Sequence, residues 1–406
     1  MIAYKYISLI LFLLSILCIG CYYPAFYNQF LIAESFTGPI ICMLLSIIWF
    51  FILSLYNCDG YIMPKKEYTY ILGIIALYLL FRIFVFDEAS SIGYLNTIIV
   101  TWVLVFLNIN SFTTEQYMKW LNKLFVIMTI SVFIGTIVIA IKGVTIYGDI
   151  ELNERHHILN LGFFFIKYGI TWSDEFVRPS GWFDEPGSLA NVALLFLIYN
   201  RIKIQSKKLE YVILICGLLS LSMFFFIIAF LYVVYFYVNR KNIGLFIMLA
   251  MVALGFYLWK PDEGFLSYVW EASFGRFENL MEGDDKSRNY DIAFNAFQRY
   301  FLTGQNDEII AKEFYGATKE TLWFALANHG LLGILFYYSP FIYIFLYIMK
   351  CGQNRRDNLY LLFLFLVNLA QRPIYLFPFY MLFIYYIWFD QKEKTIWKIR
   401  IVLGKK

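Results

Sequence analysis

The chain has 406 residues, 61% of them hydrophobic and 15% charged, with a formal net charge of +4. Soluble domains carry about 45–50% apolar and about 25% charged residues, so a water-soluble globular fold is excluded and a helical membrane protein is expected. The net charge says little by itself; the placement of the basic residues says more, and no nucleic-acid partner is expected.

In chain order, apolar runs near the ~20-residue length of a spanning helix recur from end to end. The first, ISLILFLLSILCIGCYY, lacks a small-residue cleavage site and is expected to be a span, not a signal peptide. Further spans are expected near 37–56, 68–86, 91–109 and 121–142, then near 188–203, 210–221, 223–238 and 242–259, and finally near 330–349, 358–371 and 374–389. With the first at 6–23, this makes about twelve. The 210–238 stretch is short for two crossings, yet both its flanks, QSKK and NRK, are basic, so the number of crossings there is even. GLLSLS, residues 217–222, is where the chain is expected to turn.

Short loops rich in Lys and Arg stay in the cytoplasm. Lys65 and Lys66, Lys119, the Arg201–Lys208 group, Arg240 and Lys241, Lys350, Arg355 and Arg356, and the basic tail from Lys392 all fall on one side, with both termini. The cysteines fall in spans (Cys18, Cys21, Cys42, Cys216) or in these loops (Cys58, Cys351), so a disulfide framework is not expected. The fold expected is an all-α polytopic membrane domain over 1–406. Two large loops, 143–187 and 260–329, lie on the far side.

The first loop ends in RPSGWFDEPGSLAN, residues 178–191. Gly181 permits a tight bend and Pro186 suits the first turn of the following helix. Asp184 and Glu185 fit two roles: acids complementing a helix N-terminus, or working carboxylates held beside Arg178 at the membrane surface. In the second loop, RNYDIAFNAFQRYF reads as an amphipathic helix. Arg288, Asp291, Asn295 and Arg299 form one stripe, and Ile292, Ala293, Ala296, Phe297, Tyr300 and Phe301 lie largely on the other side. A solvated charged face is the plain alternative to a binding face. Arg276 lies earlier in the same loop. Glu320 falls in the first turn of a helix running into the next span, with Thr318 as its N-cap. His329, beside Asn328, suits packing or the interface better than catalysis. His156 and His157 are adjacent with no third ligand at metal spacing, so neither a metal site nor another cofactor is expected. Arg372, between the last two spans, needs an anionic partner.

Three stretches resemble the O-antigen polymerases, the Wzy proteins, which are related to the WaaL O-antigen ligases. They are RPSGWFDEPGSLAN, GRFENLMEGDDKSRNYDIAFNAFQRYFLTGQ and ETLWFALANHGLLGILFY. The ligases carry a histidine upstream of the GLLG-like segment; here that neighbourhood reads TKET, which favours a polymerase. The resemblance implies a GT-C-like membrane glycosyltransferase fold, independence from divalent metal, and a place in the bacterial inner membrane with the site facing the periplasm. It also implies undecaprenyl-pyrophosphate-linked oligosaccharides and the lipid bilayer as partners, with a chain-length regulator protein as a further one. The implied reaction moves a growing glycan onto a sugar hydroxyl of the next lipid-linked repeat unit. Arginine forks suit a departing pyrophosphate. Arg178, Arg276, Arg288, Arg299 and Arg372 all lie on the far side in this topology. Glu185 and Glu320 lead as proton acceptors, with Asp184 and Asp291 behind them. A ligase shares the donor but uses a lipid A core acceptor. A flippase or other transporter would concentrate charge inside the bundle, and mid-span charge is scarce.

Overall fold

The structure is a computed structural model of the whole chain. It describes residues 61–142 (without 89, 112 and 113), the strands between 149 and 179, and 181–270 without 182, 184, 185, 242 and 263. It further describes 290–315, 322–371 without 352 and 353, 375–390 without 377, the pair 396–397 and a few isolated positions.

Among the described residues, three helical segments are long and apolar enough to cross a membrane: Lys66–Phe86, Glu115–Ile137 and Leu322–Lys350. They fall on three of the expected spans. The first is α1 (Lys66–Phe86), followed by α2 (Ser90–Ser111) and α3 (Thr114–Lys142). Next come α4 (Pro186–Tyr199), extended by a π-turn over Asn200–Ile204, then α5 (Lys207–Leu219), α6 (Met223–Tyr237) and α7 (Ile243–Trp259). Shorter helices α8 (Gly264–Trp270), α9 (Tyr290–Arg299) and α10 (Asp307–Glu313) belong to the second expected loop. The chain continues through α11 (Leu322–Tyr337), α12 (Ser339–Cys351), α13 (Arg355–Gln371) and α14 (Pro378–Ile384), the last continuing as a π-turn to Phe389. The turn expected within 217–222 is there: α5 ends at Leu219, Leu221 takes φ 49, and α6 starts at Met223.

The expectation of an all-α chain requires a correction. The first large loop holds an antiparallel four-stranded sheet of β2 (Asp149–Asn153), β3 (His156–Leu161), β4 (Phe164–Gly169) and β5 (Arg178–Pro179), in that order. Its register runs from Asp149↔Leu159 through Leu161↔Phe164 to Lys167↔Arg178. DIELN, HHILNL and FFIKYG are short, rich in Ile and Phe, and show no 3.6-residue apolar stripe, which favours pairing over helix. A two-residue pair joins β1 (Tyr61–Ile62) to β6 (Ile396–Trp397).

The chain divides into two compact units: Met1–Asn122 with Arg288–Leu362 and Leu369–Lys406, and Lys123–Ser287 with Phe363–Asn368. In the second unit α4 is buried almost throughout, as expected of a helix apolar on every side. Phe196 of α4 packs on Phe125, the rings 4.2 Å apart. Gly181 sits at φ 58, the bend its sequence context called for, with Met128 and Val132 against it. Arg201 lies 3.6 Å from the buried Glu210, which also accepts from the Tyr232 hydroxyl. Between α7 and the start of the second loop, Lys260 and the Tyr257 hydroxyl both bond Glu278 at 2.9 Å.

In the first unit α1 packs on α2, α11 and α12, and α14 packs on α2. The Tyr68 hydroxyl donates to Met381 O at 3.3 Å. A separate small core forms where α9, α10 and the start of α11 meet: Ala293, Ala296, Ile310, Phe324 and Ala327 are buried there, with Phe297 and Trp323 packed around them. The amphipathic reading of α9 therefore holds. Asp291, Asn295 and Arg299 are exposed on the opposite face.

Candidate functional site

At 1.5 Å per residue, the segment Leu322–Lys350 is about 44 Å long, against roughly 30 Å for the apolar core of a bilayer. The excess is marked off by a break. Gly330 has φ 65 and ψ 173, which no helix and few L-residues adopt, and the part from there to Lys350 is about 30 Å long. The part before the break, Leu322–His329, joins α9 and α10 in the small separate core.

A broken helix leaves unpaired amides on one side and unpaired carbonyls on the other. Here the segment 301–305 lies across the break and satisfies both. Leu331 N donates to Phe301 O at 2.8 Å and Leu332 N to Leu302 O at 3.2 Å. Gln305 N donates to Ala327 O (3.1 Å) and Asn328 O (3.0 Å). The two backbones approach so closely that only glycine fits at the crossing. Gly304 has φ 73, and a Cβ there would stand 2.7 Å from Gly330 N.

The remaining carbonyls are met by Arg82, in the last turns of α1. Its Nη1 donates to Asn328 O at 2.6 Å and its Nη2 to Gln305 O at 3.0 Å. The same guanidinium forks onto Glu88, with Nε to Oε2 at 2.9 Å and Nη2 to Oε1 at 2.8 Å. Glu88 also accepts from Ser91 Oγ and Asn328 Nδ2, both at 2.7 Å. All four lone-pair positions of the carboxylate are used, as are four of the five guanidinium donors. Arg82 is 0% and Glu88 3% exposed. Asn306 completes the seam: its Nδ2 bonds Phe86 O (2.8 Å) and Asp87 O (3.0 Å), the last carbonyls of α1, while its Oδ1 caps α10 through Glu308 N at 2.8 Å.

Burial alone would raise the Glu88 carboxyl. The hydrogen bond and charge of Arg82, with Asn328 and Ser91, outweigh it and bring the pKa from 4.5 down to about 2. The Glu88 carboxylate is thus ionised throughout the physiological range. Its neighbour His329 is buried, with Nδ1 3.0 Å from the Tyr78 hydroxyl and its ring stacked on Tyr337 at 4.1 Å. That is the packing role its sequence position suggested. Gly333 leaves the room Tyr78 takes up.

Alongside this cluster an apolar groove of about 730 Å³ opens between α1 and α11, lined by Leu77, Phe81, Val85, Leu332 and Phe336 and reaching Arg82 and Thr303.

Of the residues the sequence singled out, Arg299 and Asp291 lie on the exposed face of α9; Arg299 is 3.6 Å from Glu313, the two side chains 62% and 37% exposed. Arg178 stands in β5 opposite Lys167, its side chain outside the described residues. Asp184, Glu185, Arg276, Arg288, Thr318, Glu320 and Arg372 also lie outside them. Sequence reasoning passed over Arg82, Glu88, Gln305 and Asn306. Arg82 lies about 6 Å before the end of α1, near its last turn and away from its middle. The signal was present in YLLFRIFVFDE, an arginine inside an apolar run with a carboxylate six residues on.

Fold and site together define a largely helical protein of membrane character, in which the segment after α9 is tied to the end of α1 around a buried ion pair. Comparison with family models, with curated proteins and with solved structures finds no match.

Proposed function

We propose that the chain is a membrane glycosyltransferase of the O-antigen polymerase type. It moves a growing glycan from undecaprenyl pyrophosphate to a sugar hydroxyl of a new lipid-linked repeat unit, on the periplasmic side of the bacterial inner membrane. The observation that carries this reading is α9: its apolar face packs into a small core with α10 and the start of α11, and its opposite face presents Asp291, Asn295 and Arg299 to solvent. The groove along α1 and α11 offers a hydrocarbon chain an apolar wall.

In this reading the pyrophosphate leaves the anomeric carbon as the acceptor hydroxyl attacks and loses its proton. Arg178, Arg276, Arg288, Arg299 and Arg372 meet the charge growing on the leaving group through charge-assisted hydrogen bonds. Glu185 or Glu320 takes the proton, with Asp184 and Asp291 next in rank. Arg82 takes no part in binding phosphate, because Glu88 and two carbonyls already occupy its fork. Arg288→Ala and Arg178→Ala should each abolish long glycan chains at unchanged protein abundance, and near-normal chains from both would remove these arginines from the site. Glu185→Gln and Glu320→Gln separate the two bases; activity in both sinks the carboxylate assignment.

A flippase or transporter is the second reading, favoured by the buried Arg82–Glu88 pair and the break in α11, features that mark transport pathways. Against it, the broken ends of α11 are capped by the protein's own backbone and by Arg82, where a transporter leaves them to the ion or substrate. A ligase using the same donor is separated by its need for a lipid A core acceptor.

A further inference from the structure

We infer that Arg82 is a positioning residue: with Glu88 it serves as an internal cation that closes the broken end of α11 and thereby fixes where α9 holds its charged face. The α9–α10 element has its own core. Its connection to the α1–α2 corner is a polar seam of Arg82, Glu88, Ser91, Gln305, Asn306 and Asn328. A buried ion pair is a poor device for stability alone, since well-packed apolar residues often do as well or better. It does impose one geometry. The guanidinium plane must meet Glu88 on one edge and the carbonyls of Asn328 and Gln305 on the others, so the helix break, the 301–305 segment and the end of α1 have one mutual placement. Because α9 runs directly into that segment, its exposed stripe is set by the same constraint: Gly304 N bonds Tyr300 O at 3.1 Å and Tyr300 N bonds Ala296 O at 3.0 Å. That the stripe serves glycan transfer rests on the proposed function; that Arg82 sets it does not.

The test uses full-length protein in lipid nanodiscs. Three variants are compared with the wild type: Arg82→Met paired with Glu88→Leu, which leaves no orphaned charge; Arg82→Lys; and the exposed Lys119→Ala as a control. Two quantities are measured, amide hydrogen exchange at Gln305, Leu331 and Leu332, and elongation of a lipid-linked oligosaccharide. In the double variant the carbonyls of Asn328 and Gln305 lose their Arg82 donors, so exchange at the three amides accelerates by about 100-fold at unchanged helix content. Its kcat falls by about 100-fold with little change in KM, as a misplaced group predicts. Arg82→Lys regains part of both, because an ammonium reaches some of the acceptors but cannot fork. Lys119→Ala alters neither. Unchanged exchange in the double variant overturns the inference. Faster exchange with an unchanged kcat equally overturns the positioning role. A wild-type protein that elongates nothing overturns the proposed function instead, and the exchange data still decide whether Arg82 closes the break.

Discussion

Replacing Gly330 by alanine tests the break in α11 most sharply. The backbone there, φ 65 and ψ 173, is a region essentially reserved for glycine, and forcing another residue into it costs on the order of 1–3 kcal/mol. Space adds to this: a Cβ would lie 2.6 Å from Leu302 O, a backbone atom that cannot move without releasing the 301–305 segment. Losing even one of the amide bonds to that segment leaves a buried donor unpaired, at about 1–3 kcal/mol more. The sum is about 2–6 kcal/mol of destabilisation. Gly73, in the interior of α1, is the internal control, because nothing lies within 4 Å of its missing Cβ. There alanine relieves the conformational cost of a helical glycine and stabilises by about 0.5–1 kcal/mol. The same substitution thus has opposite signs at two positions, which denaturant unfolding of the purified protein in mild detergent resolves. If Gly330→Ala proves as stable as Gly73→Ala, the break is not a built feature of the native chain.

The remaining predictions concern the cluster around the break and the outer face of α9. Glu88 has a folded pKa of about 2, below its ordinary 4.5, so its contribution is fully present above pH 4.5 and is lost as pH falls through 4.5 towards about 2. It amounts to on the order of 3 kcal/mol; Glu88→Gln should flatten the acid limb of stability against pH over that window, and an identical limb in the variant refutes the assignment. Asn306→Ala removes both the cap of α10 and the bonds to Phe86 O and Asp87 O, and should cost about 1–3 kcal/mol in unfolding experiments. Arg299→Ala should behave oppositely. Its ion pair with Glu313 is exposed and worth under about 1 kcal/mol, whereas loss of a charge-stabilising donor should slow glycan transfer by about 10²–10³. A stability loss without a rate loss would return α9 to a merely solvated role.

Periodicity made much of this architecture legible, since the spans near 68–86, 121–142 and 330–349 fall on the three long apolar helices. The turn at Leu221 and the two faces of α9 were equally accessible. Basic flanks force parity, and an apolar stripe at helical spacing admits few alternatives. The sheet at 149–179 escaped because its strands are short and lie among polar residues, where an overall membrane composition speaks for helix. The clasp escaped for a different reason. Arg82 and Glu88 are visible as charges, but their partners Gln305 and Asn328 come from more than 200 positions away and act partly through backbone carbonyls, which carry no sequence signature. The motif glycine of NHGLLG could be placed at the start of a span. That it breaks a longer helix follows only when the outer half is seen packed on α9.

Glycan transfer between lipid carriers can be read out in one reconstitution. Purified protein is given undecaprenyl-pyrophosphate-linked repeat units alone, and the products are resolved by length. A glycan polymerase yields a ladder of multiples without any lipid A core. Repeat units left at single length, whether merely moved across the bilayer or transferred only when lipid A core is added, would contradict that activity.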